Sequence, residues 1–196
     1  MNLALANTAI GWGFDCEGSQ AQHMISAGVR PQAVWAYDTG DYGIPWTDPE
    51  REHFKALGVR VYLVNQGITQ GPGEALHGDE FDYEQGAWTL QHLVQIIIAR
   101  RAVLWSTRVY CTWTNYAIIK AALAQAGIGD SVYFRIADWD LNSHLAGLEL
   151  HADVYAGQWA SPASNPGTLV PGTSLSLAEA IVDLNVVLLG STGWEG

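Results

Sequence analysis

The chain runs to 196 residues, 48% of them apolar and 15% charged, with nine Lys and Arg against twenty Asp and Glu for a formal charge of −11. One domain spanning 1–196 with a single sizeable core fits that length, and nothing in the composition reads as disordered or low-complexity. The basic residues never cluster, which argues against nucleic acid and anionic membrane as partners, and no apolar stretch approaches the roughly 18 residues of a membrane span.

A glycine-bounded strand is expected at 11–17, followed by a short helix from Ser19 through Ala21, Met24 and Ile25 to Gly28. A second strand, 33–38, is mostly apolar and ends in Asp38. Thr47, Pro49 and Glu50 open a helix that passes Phe54 and Leu57 and stops at Gly58. The β-branched run 59–65 predicts a third strand, and 68–78 a loop with at most one turn of helix. A fourth strand carries Asp82 and Glu84. Apolar residues Leu90, Leu93, Val94, Ile97 and Ile98 at 3-4 spacing then predict a helix over 88–101. A fifth strand at 108–113 is followed by an Ala-rich helix, 116–126, ending at Gly127. The sixth strand, 131–137, runs into Asp138, Trp139 and Asp140, with a weak helix at 143–150 beyond it. A seventh strand at 152–159, a Ser/Pro/Gly-rich loop at 161–174 and a last strand at 181–187 complete the chain.

Eight strands, most of them separated by helical patterns, imply parallel βα units: an α/β fold, specifically a small (β/α)8 TIM-type barrel with some helices shortened or missing. An open doubly wound sheet is the alternative, but no Gly-rich phosphate loop follows the first strand.

Barrels of this kind place their sites at the C-terminal ends of the strands. Acids stand at that end of most of them: Asp15, Asp38, Asp82 with Glu84, Asp138 with Asp140, and Asp183. Asn65, Trp113 and Gln158 fall at the same level. In a strand, Asp82 and Glu84 would share a face, and two carboxylates side by side leave one tending to keep its proton. Glycosidic cleavage needs that division: an acid for the leaving oxygen and a carboxylate to meet positive charge. An acid-lined mouth with aromatic rings also suits a neutral, hydroxyl-rich ligand better than a phosphate. The rival reading is a hard cation held through the oxygens of Asp15, Asp82 and Asp183. His77, His144 and His151 lack zinc spacing, and no metal or other cofactor is expected. Cys16 and Cys111 read as small buried apolar groups rather than a disulfide.

Several short motifs, in order along the chain, resemble the family 25 glycoside hydrolases, which are N-acetylmuramidases (lysozymes), and the related glycoside-hydrolase-like domains of actinobacteria and their phages. They are Gly13-Phe14-Asp15, Asp82-Tyr83-Glu84, Val109-Tyr110-Cys111-Thr112, Ile136-Ala137-Asp138-Trp139, Gln158-Trp159-Ala160-Ser161 and Val182-Asp183-Leu184-Asn185. The resemblance implies Glu84 as general acid/base. It implies that Asp82 orients the substrate acetamido group or stabilises the oxocarbenium-like state. Asp15 and Asp183 would support the pair and bind sugar, with Tyr110, Trp139 and Gln158 at binding or floor positions. Arg135 stands where the family has an aromatic.

The expected function is cleavage of peptidoglycan or a related cell-envelope glycan. The alternative is a non-catalytic glycan-binding or structural virion protein that keeps the barrel, assembled into a phage particle. The first six residues have no positive region and no sustained apolar run, so no secretory signal is expected. Host cytoplasm before release, or the virion, is the expected location.

Overall fold

The computed structural model describes residues 9–39, 44–66, 78–84, 89–103, 106–138 and 148–189. Its strands are β1 (Ala9–Cys16), β2 (Ala33–Thr39), β3 (Arg60–Asn65), β4 (Glu80–Asp82), β5 (Thr107–Thr112), β6 (Val132–Ala137), β7 (Val154–Ala160) and β8 (Asp183–Leu189). They close in sequence order into one eight-stranded barrel. Neighbours from β1 to β7 pair in parallel, whereas β8 runs antiparallel to both β7 and β1.

The reversal of β8 corrects the expectation of eight parallel strands. A parallel pair needs a long crossover, usually a helix that carries the chain back to the other end of the sheet. Between β7 and β8 the sequence supplies instead the Ser/Pro/Gly-rich segment and one four-residue helix, α5 (Leu177–Ala180). The chain therefore turns at the top of the barrel and descends.

Four longer helices pack outside: α1 (Gly18–Ser26), α2 (Asp48–Ala56), α3 (Leu90–Ala102) and α4 (Trp113–Gln125). α2 starts where the Thr47 backbone and hydroxyl both donate to Glu50 Oε2, at 2.7 and 2.8 Å, closing a capping box. α4 starts one residue after β5, because the Thr112 hydroxyl accepts the Asn115 backbone N–H at 3.3 Å. Trp113, expected in the fifth strand, is thus the first helical residue. Of the helix expected over 143–150, only 148–150 are described, and they form a 3-10 turn. None of the described helices is long and apolar enough to cross a membrane.

Apolar packing fills the space outside the barrel wall on two sides. Leu93, Ile97, Ile119 and Leu123 of α3 and α4 are buried against Phe81, Val109, Cys111 and Phe134. Met24 and Phe54 of α1 and α2 meet Phe14, Val34 and Leu184. Each such side chain stabilises the fold by roughly 1.5–3 kcal/mol. The interior is different. Trp35, Tyr62, Val64 and Tyr155 occupy it together with buried charge.

Gly13 makes room for the Trp35 ring. A Cβ there would lie 2.5 Å from the Ala33 carbonyl oxygen and 2.6 Å from the indole. Gly13→Ala is expected to cost about 1–3 kcal/mol through this overpacking. A urea midpoint equal to wild type would show that the ring has freedom to shift.

Candidate active site

One guanidinium organises the barrel interior. Arg135, in the middle of β6 and 1% exposed, donates from Nε and Nη2 to Glu80 Oε1 on β4 at 2.9 and 2.7 Å. Its Nη1 donates to Asp15 Oδ1 on β1 and to Asn185 Oδ1 on β8, both at 3.1 Å. The guanidinium carbon lies 4.2 Å from the Tyr110 ring centroid and 4.8 Å from that of Trp35. Tyr155 donates to the other Glu80 oxygen and accepts from the Trp35 indole N–H at 3.0 Å. Deeper still, Arg108 lies over Tyr62 at 4.7 Å. A buried cation and two buried carboxylates are tolerable because their donors and acceptors are used against one another.

Asp15 stands above this floor. It accepts from Asn185 Nδ2 at 2.6 Å, from Gln158 Nε2 at 3.2 and 3.1 Å and from the Tyr37 hydroxyl at 3.3 Å. Gln158 Nε2 also donates to Asp183 Oδ2 at 2.8 Å, while its Oε1 accepts from Tyr110. Asp15 and Asp183 are register partners across the β1–β8 ladder. Asp183 was expected at the end of a parallel strand, yet it opens an antiparallel one. Because β8 descends, its first residue lies at the level of the other strands' last ones, and the reversal leaves Asp183 at the mouth.

The pair at the end of β4 divides differently from expectation. Asp82 is the last residue of the strand and 7% exposed. Its Oδ1 is buried with no hydrogen-bond partner among the described residues. Glu84 lies past the end of the strand and is exposed. The ladder ends between them, with Tyr83 N–H donating to the Tyr110 carbonyl at 2.8 Å. A shared strand face therefore does not relate the two carboxylates. Charge does. Burial first, then the neighbouring Glu84, pushes Asp82 up to about 8. Asp183 is likewise pushed up to about 8, by burial first, then by Asp15 and, more weakly, Glu84. Burial also raises Tyr110, with Glu84 contributing. One carboxylate thus acts on groups of β4, β5 and β8. The Asp82 and Asp183 carboxyls therefore hold their protons to higher pH than an ordinary carboxyl does.

Other expected residues are more scattered. Asp138 accepts the Trp113 indole N–H at 3.0 Å, on the rim between β5 and β6. Asp38 lies in β2, but its side chain is outside the described residues, as are Trp139, Asp140, His77 and His144. His151 Nδ1 is 3.3 Å from the Tyr116 hydroxyl, on the α4 side. Cys16 and Cys111 are buried free thiols. Among the described residues no group of three or more His, Cys, Asp or Glu is placed to hold a metal ion. A cation at Asp15 would have to displace four side-chain donors.

Arg135, Glu80, Tyr155, Asn185 and Tyr37 were not among the expected site residues. A signal existed for the first two: an Arg in the centre of an apolar strand, and a Glu two residues before Asp82, both on the period of two that turns side chains inward. No protein-family model, curated protein or solved structure matches the chain.

The raised Asp82 carboxyl makes stability depend on pH. Below about pH 4 the carboxyl is protonated both folded and unfolded and has no effect. Between its ordinary value near 3.8 and about 8 only the unfolded chain ionises, so stability falls as pH rises through that window. Asp82→Asn keeps the shape and removes the ionisation. It is expected to leave stability unchanged near pH 4 and to raise it by a few kcal/mol, in order of magnitude, near pH 9. Urea midpoints at the two pH values measure this; equal effects at both would mean Asp82 is ionised in the folded protein.

Proposed function

We propose that this protein is a glycoside hydrolase of muramidase-like type, acting on peptidoglycan or a related cell-envelope glycan. In this reading the barrel is a variant of the (β/α)8 TIM-type with some helices shortened or missing. The observation that carries the proposal is a single mouth where acids stand in different states. Asp15 is ion-paired to Arg135 at 3.1 Å, burial pushes Asp82 and Asp183 up to about 8, and Glu84 is exposed at the rim. Groups whose surroundings drive their protonation apart are what acid/base cleavage uses.

Glu84 is the general acid/base. Its proton passes to the glycosidic oxygen as the bond to the anomeric carbon breaks, and the leaving sugar departs as an alcohol. It then takes a proton from the water that adds to that carbon. Asp82 and Asp183 donate hydrogen bonds to sugar oxygens. Asp15 fixes Gln158 and Asn185 below them. Release of reducing ends from peptidoglycan by wild type, and not by Glu84→Gln, tests the assignment.

One observation favours a second reading. Glu84 has no hydrogen-bond or ion-pair partner among the described residues, so nothing there fixes its side chain for catalysis. In that reading the barrel binds glycan without turnover, as a structural part of a virion. Absence of reducing ends from wild type, with stable incorporation into a larger particle, supports it.

A further inference from the structure

Two buried acceptors at the mouth lack partners among the described residues, and both stand on neighbouring strand ends. Asp82 Oδ1 is one; Gln66 Oε1, on a residue 8% exposed, is the other. β3 and β4 pair Val64 with Glu80 and Asn65 with Phe81, so the register next brings Gln66 beside Asp82. The period of two that turns Tyr62 and Val64 into the interior puts Gln66 next on that inner face. Directly opposed residues on adjacent strands lie about 5 Å apart. Buried polar side chains are almost always paired, and an exception calls for something that pairs it.

We propose that Gln66 and Asp82 form a sugar subsite, in which the two side-by-side acceptors receive donors from one neutral pyranoside: adjacent hydroxyls, or a hydroxyl and an amide N–H. The inference rests on the glycosidase reading and adds a specificity residue that it does not contain. The part of the ligand seated here must be uncharged and rich in donors. An ionised carboxylate group has no hydrogen to give these oxygens. A neutral carboxyl at Asp82 also donates, and the Gln66 amide offers both an oxygen and an N–H, so a hydroxyl here can give and accept at once. Burial makes the arrangement selective, because a sugar lacking either donor leaves a desolvated acceptor unmatched.

The test separates a binding role from a structural one. Soluble N-acetylated oligosaccharides prepared from peptidoglycan are titrated calorimetrically into Glu84→Gln protein, with and without Gln66→Met, so that turnover plays no part. Met matches the length of Gln and removes its polar atoms. The second change is expected to weaken binding about five- to tenfold, the worth of one neutral hydrogen bond, while the melting temperature of the free protein holds or rises, since an unmatched buried acceptor has gone. Undiminished affinity overturns the subsite and leaves the glycosidase reading standing. A melt lowered by many degrees overturns it too, by making Gln66 a structural residue. If Glu84→Gln protein alone binds none of the oligosaccharides, the peptidoglycan reading falls and takes the subsite with it.

Discussion

Arg135→Met is expected to lower the unfolding free energy by about 3–5 kcal/mol, the usual consequence of removing one partner from a buried ion pair. Methionine fills much of the arginine volume, so the loss comes from charge more than from a cavity. Without the guanidinium, Glu80 keeps only the Tyr155 hydroxyl among its described hydrogen bonds, and Asp15 loses its one cationic neighbour. Two carboxyls 0% and 2% exposed then lose the guanidinium that bridges them. In a domain of this length the loss corresponds to roughly 10 °C of melting temperature. Urea denaturation at neutral pH measures it, and a second substitution, Glu80→Gln, should recover part of the deficit by removing one stranded charge. A single variant within about 1 kcal/mol of wild type would show that water or rearranged side chains replace the guanidinium freely, and Arg135 would lose its place as the organiser of the barrel floor.

On the proposed glycosidase reading, Glu84→Gln should cut turnover by about 10²–10⁴, the range general acid/base residues contribute. The fold should hardly notice, because exposed substitutions away from packing usually stay within about 0.5 kcal/mol. A second consequence follows from charge. Glu84 helps to raise both Asp82 and Asp183, so the neutral glutamine should let both titrate at lower pH. Carboxyl carbon shifts followed by NMR across a pH series would report this directly. A variant that loses stability, or keeps full turnover, removes Glu84 from the acid/base role. One that loses turnover while Asp82 and Asp183 titrate unchanged would mean Glu84 is farther from them than the mouth geometry requires.

The number of strands and the placing of acids at one barrel end were legible because both rest on local pattern. Most strands are short, mainly apolar runs, and Asp15 and Asp138 fall where such a run stops. The direction of β8 was not legible from its own residues, since Asp183–Leu189 reads alike in either direction. The clue lay in the missing crossover helix before it. The interior network was hidden for another reason. Arg135, Glu80 and Tyr155 gain meaning only from one another, across separations of 55 and 75 residues, and no local spacing relates them. Likewise the extent of β4 is set by its neighbours. Pairing with β3 and β5 ends near Asp82, and that places Asp82 inside and Glu84 in solvent although they are only two residues apart.

The descent of β8 also decides where the molecule can be held. Ala9 and Leu189 face each other at one end of the β1–β8 ladder, and Asp15 and Asp183 at the other. Ala9 and Leu189 therefore both stand at the underside, so a tether or affinity handle joined at either point can anchor the barrel with its opening turned outward. The same adjacency invites a circular permutant: a short linker joining the two points, and a new break in the 161–174 loop.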